Sequence, residues 1–312
     1  MGFNKVEDFI GIDLDPNVLT MFGEWDEYLN KIVHFGGEIF LEILNKPTLG
    51  KEDSLPLIMF FRNSIELVGS ISSLIVNFYS EPAKIILRTL LETMLYINYI
   101  TLKDSKQRSL SFLICQYHEK LNGYKKFDPT KEQGRRFREQ LNDDEFFKTY
   151  KFEKQDLLKA QMDNLESLIK SDLYKEVEKE YQRIKKENPR HKPVWYELYG
   201  GPKSIEKLAS HLKVGSLYEI IYRNLSKGSH GHNIIDGYIS DGGGGITNFS
   251  QIRFPYSAQF VCQFTITLSL KIYRIIILNQ VPAMFNRYRT FYINEIRDFN
   301  LALTKHKFLD IK

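Results

Sequence analysis

The chain has 312 residues, of which 43% are apolar and 26% charged, with a formal net charge of +4. This describes a globular protein with a substantial core and excludes a disordered or fibrous chain. So small a positive surplus does not by itself make a nucleic-acid binder, and two distant cysteines, Cys115 and Cys262, exclude a disulfide framework and read as small buried hydrophobes in a reducing compartment.

With 10 Pro and 19 Gly, turn residues are sparse, which favours long helices over many short strands. The start, Met1 to Asp8, is acidic where a secretory leader would be basic and then apolar, and Val6 stands where a myristoylation signal needs Ser or Thr. Both features predict a cytoplasmic protein with no membrane partner. Residues 1–54 read as an N-terminal helical segment with a turn at Asn45-Lys46-Pro47. From Leu55 to Tyr79 runs a mostly apolar helix whose Arg62, Glu66, Ser70 and Asn77 share one face. Ser80-Glu81-Pro82 starts the next helix. That helix is apolar nearly all round except for Lys84, Arg88 and Glu92, four residues apart, so it is predicted to be buried with one polar stripe paired internally or lining a cleft.

A helix over Gln107–Leu121 leads into a charged insertion at about 125–190. Its basic clusters are Lys125-Lys126 and Arg135-Arg136-Arg138. Leu158, Met162, Leu165, Ile169, Leu173, Val177, Tyr181 and Ile184 step by three or four, predicting one helix about 40 Å long that serves as a hairpin arm or dimer element. The run Lys179, Arg183, Lys185, Lys186, Arg190 and Lys192 is interleaved with glutamates and reads as a solvated face. Trp195, Tyr196 and Tyr199 could stack on bases, although packing is the commoner use. A short helix follows at 204–212. Ser216 with Glu219 forms a candidate capping box for the next. Gly242–Gly245 is a glycine loop without the Lys-Ser/Thr ending of a phosphate loop. The apolar run Phe254–Leu278 is broken by Gln259, Gln263, Lys271 and Arg274, as in a core helix rather than a membrane span. A last helix covers 285–305. The pattern is all-α.

The chemistry-bearing stretch is Tyr222-Arg-Asn-Leu-Ser-Lys-Gly-Ser-His-Gly-His232. Seven residues return a helix to nearly the same angle over about 10.5 Å, and the glycines loosen the helix end, so Arg223 and His230 can approach one another. A guanidinium holds phosphate oxygens, and an imidazole moves a proton to or from a ribose 2′-hydroxyl or a leaving oxygen, with no metal or other cofactor. The alternative is a surface arginine and a packed histidine. His230 and His232 with Asp236 would share a face on a strand and could then hold a metal, but on a helix they diverge. Arg88 and Glu92 form a candidate ion pair that could also floor the cleft and orient His230.

Ile86-Leu-Arg-Thr-Leu-Leu-Glu-Thr, Lys192-Pro-Val-Trp-Tyr-Glu-Leu-Tyr-Gly-Gly-Pro and the stretch from Leu217 to Gly231 together resemble a bacterial family of unknown function, family 5677. The resemblance covers roughly residues 55 to 280. There an Arg-x-x-x-Glu on one helix accompanies a Tyr-x-x-x-Ser followed by His on another; here these are Arg88 and Glu92, then Tyr222, Ser226 and His230. The Arg-Asn-x5-His spacing also resembles the signature of the HEPN superfamily, whose members are helical, usually dimeric, and often metal-independent ribonucleases of defence and toxin systems. The resemblance implies an HEPN-like bundle over 55–312, homodimerisation and a defence-system partner protein. It implies RNA as substrate, with Arg223 and His230 catalytic. Arg88, Glu92, Tyr222, Asn224, Ser226 and His232 would support them. A non-catalytic helical binding or assembly module is the alternative, and a metal hydrolase built on His230 and His232 a third reading.

Overall fold

The computed structural model describes residues 5–11, 15–46, 54–147, 156–223, 225, 239–241, 247–249, 251–253, 255 and 257–305. The chain divides into two compact units, one of Met1–Lys103 with Ile205–Lys312, the other of Asp104–Ser204.

The first unit is built from long helices. After the short α1 (Val6–Ile10), α2 (Pro16–Leu44) starts where Asp15 accepts the Asn17 N–H at 2.7 Å and Pro16 presets the first turn. Phe22, Trp25, Leu29, Ile32, Phe35, Ile39 and Ile43 form its buried stripe, spaced by three and four. α3 (Leu55–Val76) and α4 (Ser80–Leu102) follow, joined through Phe78, which sits at φ 65°. α4 is buried on most sides, through Ala83, Leu87, Leu90, Leu91, Met94, Leu95, Ile97 and Ile100, as its sequence predicts. α11 (Ala258–Gln280) closes the bundle against α2, α3 and α4. The last helix is one run with a π turn: α12 (Phe285–Phe291), Tyr292–Ile296, then α13 (Arg297–Lys305). α3, α4 and α11 are each long and apolar enough to cross a membrane by length and composition, with 39%, 50% and 61% of the relevant window buried inside the protein.

Aromatic packing centres on Phe35. Its ring stacks on Phe291 at 4.1 Å, and Tyr273 meets Phe61 edge-on at 5.7 Å. The Tyr273 hydroxyl donates to the Ile32 carbonyl at 2.9 Å while fully buried. It reaches that carbonyl across Gly36, where a Cβ would collide with the Tyr273 side chain.

The exposed stripe of α3 is local decoration. Arg62 and Glu66 pair at 2.7 Å in solvent, which is worth little. Among the described residues the departure from helix is one antiparallel pair, β1 (Ile239–Asp241) with β2 (Thr247–Phe249), in the register Ile239 opposite Phe249. The Gly242–Gly245 run between the strands lies outside the described residues. Residues 251–253 also tie back to α1, where the Ile252 N–H donates to Phe9 and the Arg253 N–H to Ile10.

The second unit holds α5 (Ser105–Phe127), α6 (Glu132–Asp143), α7 (Asp156–Ile169) and α8 (Lys175–Glu187), then a 3₁₀ stretch, Trp195–Gly200. The single 40 Å helix expected over 158–184 does not form. The chain turns at Ser171-Asp172, where the Ser171 carbonyl accepts the Tyr174 N–H at 3.1 Å, and two helices fold against α5. The break shifts the register by one residue, so Tyr174 is fully buried while Leu173 is 40% exposed. Leu158, Met162, Ile169, Val177, Tyr181 and Ile184 pack on Leu110, Leu113, Ile114 and Leu121. The seam, expected to serve as a hairpin arm or a dimer element, is therefore consumed within one chain by a pair of helices joined at a turn.

Two histidine–glutamate pairs fasten this unit. His118 of α5 meets Glu178 of α8 at 2.6 Å and stacks on Tyr181 at 4.1 Å, and His191 meets the buried Glu197 at 2.7 Å. The basic run is a solvated face: Lys179, Arg183, Lys186, Arg190 and Lys192 are exposed, and two of its members make local contacts. Arg183 grips Glu180 and Glu187, and Lys185 donates to the carbonyls of Pro189 and His191 at 2.6 and 2.7 Å. Trp195 and Tyr196 are buried, with Trp195 edge-on to Phe112 at 5.8 Å, so these rings pack rather than present a stacking platform. Burial pushes the Cys115 thiol up to about 12 and raises that of the fully buried Cys262, which fits two unreactive hydrophobes.

Gly134 sets the α5–α6 corner. A Cβ there would lie 1.8 Å from the Asp128 carbonyl oxygen, which is backbone and cannot rotate away. Gly134→Ala is expected to detach α6 while leaving the rest of the unit folded, at a cost of about 1–3 kcal/mol. Hydrogen exchange confined to 128–143 checks it; unchanged protection there contradicts it.

Candidate functional site

The stretch around Tyr222 leaves the α9–α10 region of the first unit. α9 (Ile205–His211) packs beside α4 and ends in a turn where Lys213 takes φ 58°. α10 (Gly215–Leu217) then widens into a π-helical turn over Tyr218–Arg223. The capping box expected at Ser216 is absent: α10 begins at Gly215, one residue before that serine, with no side-chain cap on its first turn. π turns are uncommon, and they re-aim side chains relative to a regular helix.

The turn sends Tyr222 and Arg223 in different directions. Tyr222 points at α4. Arg88 Nη2 donates to the Tyr222 hydroxyl at 2.6 Å, and the Arg88 guanidinium also lies over the Tyr222 ring at 4.0 Å. Arg88 Nε stands 3.7 Å from Glu92 Oε1, with the two side chains 18% and 27% exposed. Glu92 in turn accepts a hydrogen bond from the Tyr222 hydroxyl. Cation, phenol and carboxylate thus close a three-membered network in a half-buried setting, where such contacts exceed their solvent worth. Tyr218 stacks on Tyr222 at 4.9 Å and 18°, covering the network from one side.

Burial is the largest influence on Glu92 and raises its carboxyl above the usual value, against the lowering effects of the Tyr222 hydrogen bond and the Arg88 charge. Burial likewise raises the Tyr222 phenol. The sign for stability follows. A carboxyl with a raised folded pKa binds a proton more readily in the folded chain, so its contribution is largest at acidic pH and declines as pH rises from the ordinary carboxylate value through the folded one. Glu92→Gln keeps an acceptor for Tyr222 and removes that titration. Thermal unfolding across this range should show the variant gaining on wild type as pH rises. Parallel curves would contradict the burial argument.

Arg223 faces away from this network. Its Nη2 lies 3.0 Å from Glu206 Oε1 on α9 and its Nε 3.2 Å from Glu219 Oε2, with all three side chains about half exposed. Its guanidinium also stands 5.8 Å from the Tyr218 ring centroid. The structure therefore brings together Arg88, Glu92 and Tyr222 and places Arg223 on the adjoining exposed face. Asn224, Ser226, His230 and His232 lie outside the described residues. Among the described residues no group of three or more His, Cys, Asp or Glu side chains could hold a metal ion.

Sequence reasoning missed the roles of Glu206, Glu219 and Tyr218. Glu219 stands four residues before Arg223, a helical ion-pair spacing readable from the sequence. Glu206 is 17 residues away on another helix, and nothing local points to it.

No curated protein and no solved structure matches the chain. One family model does, over residues 54–246, and it takes in α3, α4, the whole second unit and the stretch that carries Tyr222 and Arg223. The chain belongs to that family, described as a family of unknown function (DUF5677).

Proposed function

We propose that the protein is an HEPN-like, metal-independent RNA endonuclease acting as a homodimer in a defence or toxin system. Arg223 would bind the scissile phosphate, and His230 would move protons. The reading is supported by one observation above others. The Arg88–Tyr222–Glu92 network anchors the residue immediately before Arg223, so this guanidinium leaves a fixed backbone point into solvent, at the head of the segment that runs to His230. A fixed origin for an exposed guanidinium is what positioning a phosphate requires.

In the reaction the ribose 2′-oxygen attacks phosphorus and the bond to the 5′-oxygen breaks. The products are a 2′,3′-cyclic phosphate and a 5′-hydroxyl. His230 takes the 2′-hydroxyl proton or supplies one to the leaving oxygen. Arg223 neutralises charge on the non-bridging oxygens. A second histidine, from the other copy of a dimer, would complete the acid–base pair.

One observation favours the rival, a non-catalytic binding module: Arg223 is already engaged by two carboxylates. Incubation of varied RNAs in chelator with wild type and His230→Ala separates the two. Cleavage by wild type alone supports the nuclease; none from either, or equal cleavage, supports the module.

A further inference from the structure

The two carboxylates on Arg223 occupy its side-on fork, an edge that offers two parallel donors to a phosphate. Glu206 meets Nη2 and Glu219 meets Nε, so both prongs of that fork are taken. They come from different elements, α9 and the π turn, and so do not leave together when one element moves. The pairs are also weak. With all three side chains about half exposed, water and salt compete for each contact. Contrast Arg88, which shares a half-buried network with a phenol and a carboxylate. One arginine is built in, and its neighbour in space is held by contacts that a competing anion can replace.

We infer that Glu206 and Glu219 form an exchangeable carboxylate clamp over Arg223, which an RNA phosphodiester must displace and which sets how tightly RNA binds. The inference rests on Arg223 being the phosphate-binding group. A phosphodiester offers the same paired oxygens as a carboxylate, so it can take over both ends of the fork. Exchange between exposed charges is screened by salt, so the clamp makes RNA affinity sensitive to salt.

The test uses the full chain and a single-stranded RNA whose 2′-positions are methylated, so that binding is read without cleavage. Fluorescence anisotropy compares wild type, Glu206→Gln/Glu219→Gln, Arg223→Ala and the triple variant. The clamp predicts that the glutamine pair tightens binding roughly 3- to 10-fold and that Arg223→Ala abolishes this gain. Equal tightening in the presence and absence of Arg223 would overturn it, since that reports only the loss of two negative charges; no tightening overturns it as well. Cleavage of unmethylated RNA is measured in parallel. Arg223-dependent tightening with no cleavage by any variant keeps the clamp and removes the nuclease. Cleavage that needs Arg223, with no change in binding on removing the glutamates, keeps the nuclease and removes the clamp.

Discussion

Gly36→Ala lowers the thermal midpoint of the protein by roughly 5 °C, whereas Gly37→Ala, one residue along the same helix, leaves it unchanged or raises it. Alanine is favoured over glycine in a helix interior by about 1 kcal/mol, so on propensity alone both changes stabilise. Packing decides otherwise at the first. A Cβ at Gly36 would lie 2.4 Å from the Tyr273 hydroxyl oxygen, 2.9 Å from its ring and 3.0 Å from Ile65. Tyr273 cannot swing away, because it is fully buried between Phe35 and Phe61 and bonded to the Ile32 carbonyl. Forcing a methyl group into such a site costs about 1–3 kcal/mol and strands a buried hydroxyl if the hydrogen bond breaks. At Gly37 nothing lies within 4 Å of the same methyl group. Calorimetry on both variants checks the pair. A Gly36→Ala midpoint at or above wild type would mean that α2 and α11 are not held together as described.

On the proposed nuclease reading, Arg223→Ala is expected to reduce RNA cleavage about 100- to 1000-fold, and His230→Ala by about 100- to 10,000-fold. Arg223→Ala is expected to lower stability by no more than about 1 kcal/mol, since Arg223 lies outside the core with its exposed pairs. The double variant falls little further than the worse single one, because the two groups serve one transition state. Arg223→Lys does not restore the rate: an ammonium cannot present two parallel donors to two phosphate oxygens. Single-turnover cleavage with each variant provides the measurement. Multiplying losses in the double variant would mean that the two residues serve separate steps.

Helices were legible where a single rule governs them. The Ser80-Glu81-Pro82 start and the nearly all-apolar α4 each appear in the structure as their sequence predicts. The long amphipathic stretch was not, because its periodicity runs on through Ser171-Asp172. Heptad-like spacing persists across a tight turn when both flanking helices bury the same side against one partner. Only the exchange of Leu173 for the buried Tyr174 betrays the break. At the site, Arg88 and Glu92 were readable from their spacing and Tyr222 from the family resemblance; the structure adds the contact that joins Arg88 to Tyr222 across 134 residues. The π turn was not legible, since no residue type in Tyr218–Arg223 specifies it.

An arginine fixed at the end of this turn is proposed to work with His230 to turn an RNA's own 2′-hydroxyl against its backbone. The most direct measurement incubates the full chain, in chelator, with an RNA and with the same RNA carrying 2′-O-methyl riboses. Scission of the first alone, with cyclic phosphate ends, is the expected result. Failure to cut either one, or cutting of both, would contradict it.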